Sequence, residues 1–385
     1  MRLCVRLFFF SPLLPCYNIL MIDLILALDF GGTKLSAALF VVQNSTQRRQ
    51  DAKTPKESSL ASSRLRDFAL SSSRRVVTPG DANAAYELAA MVALARDLLD
   101  GQQPAAAGVS FGGPVDYATG VVRLSHHVRG WENAPLRDRL AAEFGCPVAV
   151  DNDANVAALG EHRFGAGQGV ADMMYVTVST GVGGGWILGG RPWRGHDGMA
   201  GEIGHTVADP AGPLCLCGKR GCVERLASGP YMARDLEEEK RDTERHGGKW
   251  RNTEEESSNS SSAALPSSLS VPPRPSSLTG RDVAELAAAG DELARAVLVR
   301  GAWALGVGLG NAANLMNPQR FVLGGGVTKA GTSWWAEVRR SAAATALPEV
   351  RFDIAPAALG DDAPLWGALA LTEEFGITDY TDFTD

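Results

Sequence analysis

Apolar residues along the chain follow two rhythms. Unbroken apolar stretches at Leu24–Phe30 and Ala106–Phe111 read as buried strands, since a strand covered on both faces needs no alternation. Shorter stretches at Pro147–Val150, Met173–Ser179 and Arg320–Leu323 read the same way. Leu35–Val42 and Trp186–Leu188 double back as strands after glycine turns. Asn83–Asp100, Leu136–Phe144 and Asn155–Phe164 read as helices. Arg281–Asn314 is a long helical region, predicted to break near Gly306–Gly310 because glycine weakens a helix interior.

The unit strand, glycine turn, returning strand occurs twice, at Leu24–Val42 and Met173–Leu188. This predicts an internally duplicated α/β architecture with a cleft between its halves. The expected organisation is an extension over residues 1–20, an N-terminal α/β domain over 21–150, and a larger α/β domain over 151–361. Residues 362–385 are expected to form a C-terminal helix and tail that pack back on the N-terminal domain. Two stretches break the pattern. Ser45–Arg75 is rich in Ser, Arg and Lys. Leu236–Ser277 opens on a charge run and then becomes serine-rich, with ten serines among residues 257–277. Both are predicted to be disordered insertions, because neither carries enough apolar surface to offset the entropy of ordering.

The 385-residue chain carries a net charge of −7, which disfavours nucleic acid and anionic membranes as partners. An acidic protein that binds a polyphosphate must recruit it locally, through a cation and backbone N–H groups. No transmembrane helix is expected from the apolar runs. Arg2 and Arg6 flank the apolar stretch Leu7–Leu14, which resembles a signal peptide. Pro12 and Pro15 interrupt it, and Met21 directly precedes the first strand, so Met21 is expected to be the start.

Candidate chemistry lies at strand ends. Asp29 and the turn Gly31-Gly32-Thr33-Lys34 offer a carboxylate for Mg²⁺, N–H groups able to approach an anion, a hydroxyl and a cation. The spacing is not that of a Walker A loop. A hairpin turn with a capping aspartate is the structural alternative. Ser179–Gly185, with Thr180, Gly181 and Gly183, repeats that logic, as does the Gly324-Gly325-Gly326 triplet. Asp151-Asn152-Asp153 follows a strand, where one aspartate is placed to act as a general base and Asn152 to meet a polyol. The alternative is that Asp153 only caps the following helix.

The strongest pattern is Gly201-Glu202-Ile203-Gly204-His205 followed by Cys215, Cys217 and Cys222, half of the six cysteines. His205 and the three thiols make a complete tetrahedral Cys₃His set for zinc, with no position left for water. Such a site is structural rather than hydrolytic. Glu202 and Glu224 flank it as spare acceptors for sugar hydroxyls, and the second ring nitrogen of His205 is left to meet substrate.

In combination and order these motifs resemble the ROK family of sugar kinases and repressors, over nearly all of the chain from Met21 on, the two insertions excepted. The resemblance implies the actin-like, ribonuclease H-like ATPase fold, two domains closing around ATP and a hexose. It implies that Asp153, rather than Asp151, is the base for a primary hydroxyl, typically O6. Asn152, Glu202, His205 and Glu224 then bind sugar, and Gly113 lies in the substrate-facing stretch Ser110–Pro114. His205, Cys215, Cys217 and Cys222 bind zinc. Glucokinase-like members often carry Asn-Leu two residues before the Gly-Trp that is Gly130-Trp131 here, where this chain has His127-Val128. The resemblance also suggests a homodimer, and the acidic chain fits the cytoplasm. Glucose is the first candidate sugar, with N-acetylmannosamine, N-acetylglucosamine and fructose open. The alternatives are a sugar-binding protein without kinase activity and a sugar-responsive repressor, whose winged helix-turn-helix is not legible before the first strand.

Overall fold

The structure, a computed structural model, describes residues 23–43, 67–125, 128–245 and 277–376. The expected extension at 1–20 lies outside the described residues. In chain order, β1 is Asp23–Phe30, β2 Lys34–Gln43, β3 Asp67–Val77, α1 Ala84–Leu99 and β4 Ala106–Phe111. A small hairpin of β5 (Val115–Asp116) and β6 (Val121–Val122) precedes α2 (Leu136–Phe144), β7 (Val148–Asn152) and α3 (Asp153–Phe164). The second half contains β8 (Met173–Val178), β9 (Val182–Leu188), β10 (Arg191–Trp193), α4 (Val223–Ala227), α5 (Gly229–Arg245), α6 (Gly280–Ala288) and α7 (Glu292–Met316). It closes with β11 (Arg320–Gly324), α8 (Thr332–Thr345), β12 (Asp353–Pro356) and α9 (Ala363–Leu371).

These strands form two five-stranded sheets, ordered β3-β2-β1-β4-β7 and β10-β9-β8-β11-β12. Each half has an antiparallel pair at its start and parallel strands after it. The expected duplication is therefore real. The buried faces of β1 and β4 pack with α1 and α2 around Trp131, Leu136 and Met91. The second core gathers β8, β9 and β11 around α7 and α8. α9 packs back on β1 and β4 through Leu365, Ala368 and Leu369. The contact is close: a Cβ on Gly108 of β4 would run into the Ala368 carbonyl. Glu161 of α3 is fully buried and accepts from the amides of Ala166, Ala358 and Leu359 at 2.8, 3.1 and 2.8 Å. One carboxylate thus ties α3 to the segment that leads into α9.

Three expectations need correction. Residues 67–75 of the first insertion are ordered within β3, which pairs with β2 along its length. As an edge strand it turns its serines and arginines mostly to solvent and half-buries Phe68, Ser72 and Val76, so a polar composition is compatible with order. Leu236–Arg245 of the second insertion continues α5, because its charges pair within and across helices: Arg241–Glu237 at 3.8 Å and Lys240–Asp291 at 2.6 Å. The remainder of both insertions lies outside the described residues. Finally, the long helix does not break at Gly306–Gly310. It breaks at Ala289–Asp291, and α7 runs through the glycines. A Cβ on Gly306 would come within 2.6 Å of the Val338 carbonyl, and one on Gly310 within 2.7 Å of the Ala342 carbonyl, so the glycines seat α8 against α7. α7 is apolar enough to cross a membrane by length and composition, but it is largely buried within the second core.

Candidate active site

The candidate residues lie at the carboxyl ends of strands in each sheet, which is where open α/β sheets bind ligands. At the end of β1, Asp29 is buried and accepts from Ser110 Oγ at 2.8 Å. Burial pushes its carboxyl up to about 6, against that hydrogen bond and the charges of Lys34 and Arg75. The turn closes with Gly31 N donating to Lys34 O at 3.1 Å, leaving Gly32 and Thr33 exposed at its tip. Lys34 stands 3.9 Å from Asp361, and Arg75 pairs with Asp362 beside it.

At the end of β7 the two aspartates meet different fates. Asp151 is buried; Asn152 N and Asn155 Nδ2 donate to its Oδ1, and Arg194 Nε donates to its Oδ2 at 2.7 Å. Burial pushes its carboxyl up and the Arg194 charge opposes the shift. With both oxygens engaged, Asp151 is structural. Asp153 is half-buried, and both its donors, Ala154 N at 2.9 Å and Asn152 Nδ2 at 3.0 Å, fall on Oδ1. Its Oδ2 faces the bare side of Gly112. A Cβ there would stand 3.9 Å from that oxygen and 3.7 Å from Gly32 N. The first glycine turn and the Asp153 carboxylate thus lie on the same side of Gly112. Burial pushes Asp153 up to about 7, with the Asp29 charge adding to the shift and Glu202 a smaller contributor. Asn152 caps α3 through Ala154 N, and its amide also donates to Gly113 O at 3.1 Å. The capping alternative therefore describes Asn152 first, and Asp153 Oδ1 second.

In the second half the turn is shorter than the sequence suggests. Ser179, Thr180 and Gly181 form it, while Gly183 already lies in β9 opposite Thr177. Glu224 Oε2 accepts from Val182 N at 3.0 Å and would meet a Cβ on Gly181 at 2.8 Å, so the turn leans on the segment after the cysteines. Gly324 ends β11, where the Tyr175 ring occupies the space of a side chain, and Gly325 adopts φ 90 over Val178. Beside these turns opens a cavity of about 1000 Å³, lined by Thr180, Gly229, Pro230, Arg281, Ala284 and Lys329 among others. That volume lies at the upper end for small-molecule sites. Apart from Thr180, sequence reading missed these residues. The signal was a pair of glycines opening α5 and α6: Gly229 and Gly280 touch in the wall of the cavity, and a Cβ on Gly280 would come within 2.6 Å of Gly229 Cα.

The ligand atoms of His205, Cys215, Cys217 and Cys222 all lie within 4.8 Å of one another. Cys217 Sγ is 3.5 Å from Cys222 Sγ, and Cys215 Sγ is 3.9 Å from His205 Nδ1. These spacings suit the edges of a tetrahedron with metal–ligand bonds of about 2.0–2.3 Å. Arg225 fixes the loop from below, donating to Leu214 O at 3.2 Å and forming a two-pronged pair with buried Asp235 at 2.9 Å. Glu202, exposed, and His205, half-buried, lie on and beside the short 3₁₀ turn Ile203–His205.

The profile of the ROK family matches residues 67–374. The chain belongs to the ROK family. A glucokinase of Halalkalibacterium halodurans is 39% identical over 274 residues, 68% of this chain and 74% of that one. An N-acetylmannosamine kinase of Shigella flexneri is 38% identical over 209 residues, 54% of this chain and 62% of that one. Among solved structures, the ROK hexokinase of Thermus thermophilus is 31% identical with a TM-score of 0.67, covering 92% of this chain and all of that one. A ROK family glucokinase of Streptomyces griseus, crystallised with glucose and AMPPNP, is 29% identical with a TM-score of 0.65, covering 92% of this chain and 99% of that one. The actin-like fold expected from the motifs is the fold of this ROK protein.

Proposed function

We propose that this ROK protein, an ATP-dependent sugar kinase, phosphorylates the primary hydroxyl of glucose with Asp153 as the base. The observation that carries the reading is that Asp153 Oδ2 and Gly32 N both face the bare side of Gly112. A sugar hydroxyl lying against Asp153 Oδ2 would give its proton to that carboxylate as its oxygen attacks the γ-phosphorus, while the bond from that phosphorus to the bridging oxygen breaks and ADP leaves. Oδ1 is already held by Asn152 and Ala154, so the carboxylate is aimed before substrate arrives. Backbone N–H groups at Gly32 and Thr33, on the turn that Gly31 and Lys34 close, and in the Thr180–Gly181 turn would cradle phosphates, and Gly324 and Gly325 would let the nucleotide lie against bare backbone. The adjoining cavity would take the nucleoside. Mg²⁺ bound with ATP, held from Asp29, would neutralise charge on the transferring group. Asn152, Glu202, His205 and Glu224, with the Gly113 backbone, are the proposed sugar contacts. Glucose is favoured because the 39% identical relative is a glucokinase that this chain matches over 74% of its length.

Zn²⁺ would be held by His205, Cys215, Cys217 and Cys222, a full ligand set that organises the loop leading to Glu224 and takes no part in phosphoryl transfer. The acidic chain and this activity fit the cytoplasm.

An ADP-release assay over glucose, N-acetylmannosamine, N-acetylglucosamine and fructose tests the reading, with the product position fixed by phosphorus NMR. The highest kcat/KM is expected for glucose, with phosphate on O6. A clear preference for N-acetylmannosamine would reassign the sugar, and no turnover with any hexose would overturn the catalytic reading. Metal analysis is expected to find stoichiometric zinc, lost in Cys217→Ser together with sugar affinity.

A further inference from the structure

Arg194 follows β10, at the edge of the second sheet, yet its strongest contact is in the first half. Its Nε donates to Asp151 Oδ2 at 2.7 Å, and the side chains are 20% and 2% exposed. The guanidinium lies 3.4 Å from the centroid of the Tyr117 ring, and the Tyr117 hydroxyl donates to Glu374. On the Asp151 side, the other carboxylate oxygen holds Asn152 N and Asn155 Nδ2, so the pair is tied into the turn that presents Asn152 and Asp153. On the Arg194 side, the carbonyl accepts from Ala200 N at 3.0 Å, closing the loop whose next residues are Gly201 and Glu202. That loop also rests on the first half, where a Cβ on Gly198 would meet Val115 O at 3.1 Å.

We propose that Arg194 is a positioning residue that fastens the loop leading to Glu202 and His205 to the turn carrying Asn152 and Asp153, so that sugar contacts from one half and the base from the other are held in register. The proposal rests on the reading of Asp153 and Glu202 given above. A planar guanidinium is suited to this position because it donates to Asp151 in one direction and stacks on Tyr117, which an ammonium cannot match. Because each side chain comes from a different half, loss of the pair moves the sugar relative to the base and leaves the nucleotide turns alone. Displacement of about 1 Å at a reacting centre is enough to lower turnover a hundredfold.

The test uses the full chain. Arg194→Met is expected to lower kcat roughly 10–100-fold and raise the sugar KM roughly tenfold, with the ATP KM within about twofold of wild type. Arg194→Lys restores charge without the stack and should recover part of the loss. Asp151→Asn combined with Arg194→Met should be less damaging than the two single effects multiplied, since neither charge is left buried without its partner. This double variant and Arg194→Lys also serve if Arg194→Met does not fold. Unchanged kcat and sugar KM with a lowered Tm would reduce the pair to a stabilising contact, and ATP and sugar KM rising together would equally overturn the proposal. If Asp153→Asn is inactive while Arg194→Met is normal, only this inference fails. If Asp153→Asn keeps near-normal kcat, the reading of the site itself fails.

Discussion

The two halves share a strand order and strand directions, but their strand ends carry different chemistry. In the first half, β1 carries Asp29 as its penultimate residue and β7 runs through Asp151 into Asp153, with Lys34 one turn away. In the second half, β8 runs into Ser179-Thr180-Gly181 and β11 into Gly324-Gly325-Gly326, with no ionisable side chain among them. The scaffold was repeated and the chemistry was not. A base is useful only where its carboxylate is raised and aimed, and the first half supplies the burial and the neighbouring charge for that. The second-half turns instead offer bare backbone, with the Glu224 carboxylate held against Gly181 by Val182 N. On the proposed reading the base lies in the first half, while the nucleotide is shared, its phosphates meeting the Gly31–Lys34 turn and its nucleoside the second half.

The largest effect that would break this division is at Asp153. Asp153→Asn removes the proton acceptor while keeping shape and the Oδ1 contacts, and kcat is expected to fall by about 10³-fold or more, with the ATP KM within about twofold. Steady-state kinetics with both substrates varied decides it. A rise in ATP KM matching the fall in turnover would mean that Asp153 itself also carries nucleotide binding.

The next effect lies in the second half. Gly325 has φ 90, a conformation that suits glycine, and a Cβ there would stand 2.7 Å from Val178 N. Gly325→Ala must shift the triplet away from β8. It is expected to raise the ATP KM roughly 10–100-fold and leave the sugar KM within about twofold, measured in the same assay. A loss confined to sugar affinity would contradict the division.

Much of this was legible in the chain, for identifiable reasons. β4 and α2 were predicted to the residue, because a strand buried on both faces and a short amphipathic helix each follow a single rule. Asp29, Asp153 and the Cys₃His cluster stood out because ligands crowded at strand ends or within a few residues are local patterns. β3 was hidden by its exposure: an edge strand may be as polar as a loop, and its order comes from pairing with β2. The charge run of α5 was hidden likewise, since its partners, such as Asp291, lie far along the chain. The glycines of α7 misled because a small residue that breaks an exposed helix also admits a neighbouring one, and only the position of α8 decides which. Arg194 and Asp151 lie 43 residues apart and no spacing rule joins them.

The smallest expected effect is on pH dependence, and it separates the halves most cleanly. Burial, and then the Asp29 charge, push the Asp153 carboxyl up to about 7. A base must be deprotonated, so kcat/KM for sugar should rise as pH increases through about 7 and fall about tenfold per pH unit below it. Asp29→Asn removes the neighbouring negative charge, so the acid limb should move to lower pH. Gly325→Ala should leave the limb where it is. The same shift has a consequence for stability, with its sign fixed by linkage. The folded-state value lies above the ordinary 3.8, so the contribution is full below about 4 and is lost as pH rises through about 7. Asp153→Asn has no such carboxyl to ionise. Its Tm should therefore exceed that of the wild-type protein at pH 8 by roughly a few degrees and lose the advantage near pH 4, by calorimetry without ligands. Equal melting temperatures at pH 8 would mean that the site accommodates the Asp153 charge without strain, and the contrast between a base held under electrostatic load and turns of bare backbone would have to be abandoned.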